Sequence, residues 1–233
     1  MKLGIMQPYL FPYIGYFQLI NAVDTFIFYD DVNFIKRGWI NRNNILIDGK
    51  AHLFSIPLIK ASQNKLINET FINQETNWKS TFLNTIRSNY SKAPYFNKVY
   101  KLIERTINKE HQKISELASD SIINCCNYLG INKNFELSSE EYTSTKGLEK
   151  SDRLIKISKL NQAIEYINPL GGKELYCKEH FRENDVKLSF IENRIIEYSQ
   201  SSNDFVEGLS IIDVLMFNSK EQAKKMLDLY KII

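Results

Sequence analysis

Residues 26–29, Phe-Ile-Phe-Tyr, are apolar or aromatic at every position. A strand with one wet face alternates polar and apolar residues. A run that does not alternate fits a strand covered on both faces, as parallel sheets are. Ahead of it lies a short apolar stretch, Leu3 to Met6, which breaks at Pro8. Between the two, Tyr13, Tyr16, Phe17 and Ile20 recur at helical spacing, and Leu19 and Val23 widen the apolar face. The chain therefore opens with a strand, a helix and a strand. This unit commits it to an α/β fold, in which ligands bind at the C-terminal edge of the strands.

The rest of the chain is read in the same way. After the Asp48-Gly49 turn, His52 to Ile59 predict a strand, with Pro57 marking its end or an edge. Trp78, Phe82, Ile86 and Tyr90 lie four apart, and similar helical patterns continue to Leu129. Alternation then resumes. Asn134 to Ser138, Glu165 to Asn168 and Val186 to Ile191 predict strands, and Lys150 to Leu160 and Lys173 to Asn184 predict helices. Ser219-Lys-Glu-Gln222 has the pattern of a capping box opening a last helix. The expectation is one α/β domain over residues 1–233, with a parallel-rich, Rossmann-like sheet and a helical insertion near residues 75–130.

Composition narrows the function classes. A net charge of +3 from 30 basic and 27 acidic residues is too balanced for nucleic-acid or membrane binding by bulk electrostatics. No apolar run approaches the ~20 residues of a membrane span. The three cysteines, Cys125, Cys126 and Cys177, form no CxxC pair. The expectation is therefore no metal site and no disulfide scaffold. With no secretory pattern at the N-terminus, the chain is expected in the cytoplasm.

The best candidate site is the loop Lys36-Arg-Gly-Trp-Ile-Asn-Arg-Asn43. Arg37 and Arg42 offer forked donors for phosphate or carboxylate, Lys36 adds charge, and Asn41 both donates and accepts. Trp39 could stack on a base or a sugar ring. Asp30 and Asp31 end the preceding strand, where alternation sends them to opposite sides of the sheet. Asp31, one residue nearer the loop, is the favoured catalytic carboxylate. His52 is the histidine to test as a general base, whereas His111, among charged residues, reads as surface. Tyr166-Ile-Asn-Pro-Leu-Gly-Gly172 is a strand followed by a glycine turn, whose backbone amides could cradle an anion. Pro12-Tyr-Ile-Gly-Tyr16 occupies the place where nucleotidyltransferase-like domains carry a HxGH-type signature. It has the glycine, Gly15, but neither histidine. A nucleotidyltransferase-like fold fits, without adenylyl transfer by that signature.

Four phrases, Ile5-Met-Gln-Pro-Tyr9, Phe11 to Ile20, Tyr29-Asp-Asp-Val32 and Ile35 to Asn43, strongly resemble the WbqC-like family. Tyr90, Ser138-Ser139, Tyr198-x-Gln200 and Leu209 to Leu215 extend the match along the chain. The resemblance implies a protein of bacterial surface-polysaccharide clusters, including O-antigen clusters. It also marks Gln7, Tyr9, Tyr13 and Tyr16 as substrate-binding positions beside the loop residues. Cys177 departs from the pattern, which has an aspartate after the tyrosine. The resemblance implies action on a sugar nucleotide or an activated acyl donor; the leading expectation is transfer of an acyl or aminoacyl group to a nucleotide-linked amino sugar, with a carrier of the acyl donor as partner. Rival expectations are an ATP-dependent, nucleotidyltransferase-like ligase and a non-catalytic protein that binds sugar nucleotides. The sequence assigns no cofactor.

Overall fold

A computed structural model describes residues 1–202 and 204–233. The opening unit forms as its pattern predicts. β1 (Lys2–Met6) leads through α1 (Ile14–Ala22) to β2 (Thr25–Phe28), and β1 and β2 pair in parallel with Met6 opposite Phe28. The third section of the chain adds β5 (Asn134–Leu137), α5 (Ser138–Glu141), α6 (Lys150–Leu160), β6 (Glu165–Pro169), α7 (Lys178–Arg182) and β7 (Lys187–Asn193). The chain closes with α8 (Ile211–Phe217), α9 (Lys220–Met226) and β8 (Tyr230–Ile232). Together the strands make a six-stranded sheet in the order β5-β2-β1-β6-β7-β8. Every pairing in it is parallel except β7 with β8.

The sheet is covered on both faces, which is why β2 needs no polar side. Phe26 and Phe28 join the larger core with α1 and the helices α2 (Trp78–Tyr90), α3 (Phe96–Asn108) and α4 (Ile114–Leu129). Ile27 turns the other way, into a smaller core with Leu154 and Ile157 of α6 and Phe181 of α7. This parity decides where the next residues face.

Several expected elements are corrected. The strand expected over His52–Ile59 is β4 (Lys50–Ser55), and it lies outside the parallel sheet. It pairs with β3 (Arg42–Ile47) as an antiparallel ribbon. Arg42 and Asn43, read as loop, begin that strand. The turn between them is Asp48-Gly49 with φ of +49° and +73°. Positive φ at both central residues is the tight-hairpin geometry that Asp-Gly favours. The helix expected over Lys173–Asn184 shrinks to α7, because Tyr176 turns inward onto Phe181 and Cys177 is extended. The terminal capping box forms, with Ser219 and Gln222 bonding reciprocally at α9.

Candidate functional site

From β1 the chain moves to β2 on one side, while β6 fills the other side. The strand order therefore reverses between β1 and β6. Open α/β sheets bind ligands in the crevice beyond such a switch point. A cleft of about 820 Å³ opens there. Gln7 and Tyr9 reach it from the end of β1, Tyr29 and Asp31 from β2, and Asn168 to Gly172 from β6. Arg153 of α6 and Tyr176 close its wall.

Asp31 and Arg153 form the floor. Arg153 Nη2 donates to Asp31 Oδ2 at 2.6 Å, and their side chains are 7% and 0% exposed. Ser138 Oγ donates to Asp31 Oδ1 at 2.5 Å. Arg153 Nε donates to Thr145 Oγ1 at 3.1 Å, and the guanidinium sits 4.8 Å over the Tyr29 ring. Three contacts thus lock the arginine, while its Nη1 has no protein acceptor among the described residues. Burial raises the Tyr29 phenol, opposed by the neighbouring Arg153, so Tyr29 stays a neutral donor at neutral pH. Asn168 accepts from Tyr166 Oη at 3.3 Å. A Cβ on Gly172 would stand 2.0 Å from Asn168 Nδ2, so that glycine makes room for the amide.

Asp30 faces away, on the Phe28 side. Its Oδ1 accepts from Ser139 N at 3.0 Å and its Oδ2 from Ser139 Oγ at 2.7 Å, which tethers the start of α5. It lines a different cleft, between α4 and β5. The two carboxylates line different clefts but meet at Ser138 Oγ, 3.1 Å from Asp30 Oδ1 and 2.5 Å from Asp31 Oδ1.

The basic loop divides. Ile35 lines the switch-point cleft, and Lys36 and Arg37 are exposed beside it. Arg42 folds back instead. Its Nε donates to Gly38 O at 2.9 Å and its Nη2 to Arg37 O. This supports Arg37, which has a left-handed φ of +62°. Asn41 binds Ile56 O at 2.8 Å, fixing the loop to the ribbon. Trp39, Tyr9 and Tyr13 share a pocket of about 220 Å³ that adjoins the cleft through Tyr9. Tyr16 is fully packed and donates to Gln7 O at 2.9 Å, so it positions Gln7. His52 is exposed on β4 and lines neither cleft.

Sequence reasoning missed Arg153. The available signal was an arginine next to Leu154 and four residues before Ile157, on the apolar stripe of a helix. His111 is corrected from surface to buried: it is 5% exposed, with Nε2 2.8 Å from Asp120 Oδ2. Tyr90, Tyr198 and Gln200, marked with Asp213 by the resemblance, gather around the buried Asp213 carboxylate. Asp213 accepts from Tyr90 at 2.9 Å, Tyr198 at 2.7 Å and Gln200 at 3.0 Å. Tyr90 in turn accepts from Leu46 N at 2.8 Å, tying α2, β3 and α8 together. None of the four lines the switch-point cleft.

The family model of the WbqC-like protein family matches residues 7–225. The chain belongs to the WbqC-like protein family. Uncharacterized protein Rv1507c of Mycobacterium tuberculosis is 29% identical over 229 residues, covering 97% of this chain and 97% of that protein. No solved structure matches the chain.

Proposed function

We propose that this WbqC-like protein is an enzyme of bacterial surface-polysaccharide precursor synthesis. It holds a nucleotide-linked amino sugar in the switch-point cleft and transfers an acyl or aminoacyl group to the sugar's amine. The observation that carries this reading is the buried Asp31–Arg153 pair under Tyr29, across the cleft from the Asn168–Gly172 turn.

A sugar nucleotide has a flat base, an anionic diphosphate and a polyhydroxylated ring. Each portion has a matching surface. The free Nη1 donors of Arg153 suit the diphosphate, since arginine forks match phosphate oxygens. Gln7 and Asn168 can both donate to and accept from hydroxyls. Tyr9, Tyr13 and Trp39 provide aromatic faces beside the cleft. Lys36 and Arg37 add positive charge at the rim.

In the transfer, the amine nitrogen attacks the acyl carbonyl carbon. A C–N bond forms, the bond from carbon to the donor's leaving group breaks, and the proton shed by the nitrogen leaves with the departing group. Asp31, whose side chain is 0% exposed and is held by Ser138 and Arg153, acts through Arg153 by fixing its guanidinium at the cleft. Tyr29, a neutral phenol beside it, can donate to the oxyanion that develops on the carbonyl.

Thermal shift with UDP- and dTDP-linked amino sugars tests the binding half. A ligand of the folded state raises the melting temperature by mass action. The reading expects a rise with these compounds that is lost in Arg153→Met. Mass spectrometry of the sugar nucleotide after incubation with acyl donors tests the transfer half. ATP-dependent pyrophosphate release without acylation would instead establish the ligase reading.

A further inference from the structure

A second cleft, of about 650 Å³, lies between α4 and the β5–α5 edge, on the far side of Asp30. It falls in the size range of small-molecule sites, roughly 300–1,000 Å³. The proposed transferase reaction makes no use of it.

Two buried polar atoms in its wall have no hydrogen-bond partner among the described residues, Ser119 Oγ and Asn68 Oδ1. Ser119 is only 6% exposed. Buried polar groups are almost always paired, so these atoms point to a ligand that supplies donors. An amide oxygen can only accept, and a hydroxyl accepts readily. Ile123 and Phe135 give the same cleft an apolar wall. The charge at its mouth is acidic. Glu116 is engaged in capping α4 and Asp120 is paired with His111 and Lys109. Glu140 and Glu141 are exposed and unpaired among the described residues.

We propose that this cleft binds a compact organic cation, a primary ammonium on an apolar body. The ammonium donates to Asn68 Oδ1 and Ser119 Oγ, and the body lies on Ile123 and Phe135. Glu140 and Glu141 attract the charge as it approaches. An ammonium offers donors and no acceptor, which meets the acceptor capacity of both atoms. A carboxylate of the same shape would leave Asn68 Oδ1 unmet and face repulsion at the rim. Among the described residues no three His, Cys, Asp or Glu side chains converge as a metal site, so the donor set suits an ammonium better than a metal ion.

The test uses phenethylamine and phenylacetate, which share a body and differ in charge. Each is titrated into the full-length protein and followed by amide chemical shifts. Saturable binding of phenethylamine is expected, with shifts at Ser119 and Asn68, and none for phenylacetate. Ser119→Ala should weaken binding roughly tenfold, the scale of one lost bond to a charged donor. Should that variant disturb α4, the exposed pair Glu140→Gln and Glu141→Gln is expected to weaken binding at low salt and much less at high salt. Equal binding of phenylacetate, an amine that fails to saturate, or affinity unchanged in both variants would overturn the proposal. The site is separate from the switch-point cleft, so a failed titration with sugar nucleotides would leave it standing.

Discussion

Removing Arg153 leaves Asp31 as a buried carboxylate with its arginine gone. The pair is 2.6 Å apart and its side chains are 7% and 0% exposed, so little water screens it. Breaking such a pair from one side costs about 3–5 kcal/mol, because the remaining charge is uncompensated. Here Ser138 still donates to Asp31, and the cleft beside Arg153 admits water into the vacated space. Both effects place Arg153→Met at the low end, about 3 kcal/mol. For a chain of this size each kcal/mol moves the melting temperature by about 2–4 °C, so a fall of roughly 6–12 °C is expected. The double variant Asp31→Asn with Arg153→Met removes both charges and should recover much of that loss, since replacing a buried pair by neutral groups is often close to neutral. Urea unfolding followed by circular dichroism measures both, with the slope of the transition checked for constancy. A cost below about 1 kcal/mol for Arg153→Met would equal that of an exposed ion pair and refute the reasoning. So would a double variant as unstable as the single.

Gly172→Ala should leave the fold intact but displace Asn168, at a cost of about 1–3 kcal/mol, and weaken ligand binding in titration calorimetry; unchanged affinity would take Asn168 out of the site. Burial raises the Asp213 carboxyl above its ordinary value, so the folded state holds its proton more tightly than the unfolded chain. Stability from that group is present below the unfolded value and is lost as pH rises through the folded one. The stability advantage of wild type over Asp213→Asn, measured by urea unfolding across that window, should therefore shrink as pH increases. Lys36→Ala should change stability by no more than about 0.5 kcal/mol. Arg42→Ala removes the bonds that close the loop and should cost about 1–2 kcal/mol by the same assay, so equal effects would contradict the division of the basic loop.

The parts of the fold legible in the sequence were those whose cause is local. The unbroken apolar run at Phe26–Tyr29 announced a strand covered on both sides, and its parity carried Asp30 and Asp31 to different clefts. The glycines after Asn168 announced the turn that lines the cleft. The Asp48-Gly49 turn was legible too, but not the strand before it. Arg42, Asn43 and Asn44 are polar, and Asn43 is buried only because it donates to the carbonyls of Leu10 and Phe11. Arg153 escaped notice because its partner lies 122 residues away, a distance no periodicity reports. His111 looked exposed among charged neighbours for the same reason, since Asp120 draws it inward only once α4 is folded. His52 looked well placed as the start of a strand after a turn, but β4 leaves it exposed on the ribbon and away from both clefts.

The most direct test of the central claim is the crystal structure of the protein with a UDP- or dTDP-linked amino sugar. The account predicts a ligand between the ends of β1 and β6, its diphosphate near Arg153 and the Gly171-Gly172 turn, and its amine beside Tyr29. A sugar nucleotide seated instead in the α4–β5 cleft or on the β3–β4 ribbon, or no bound ligand at saturating concentration, would contradict it.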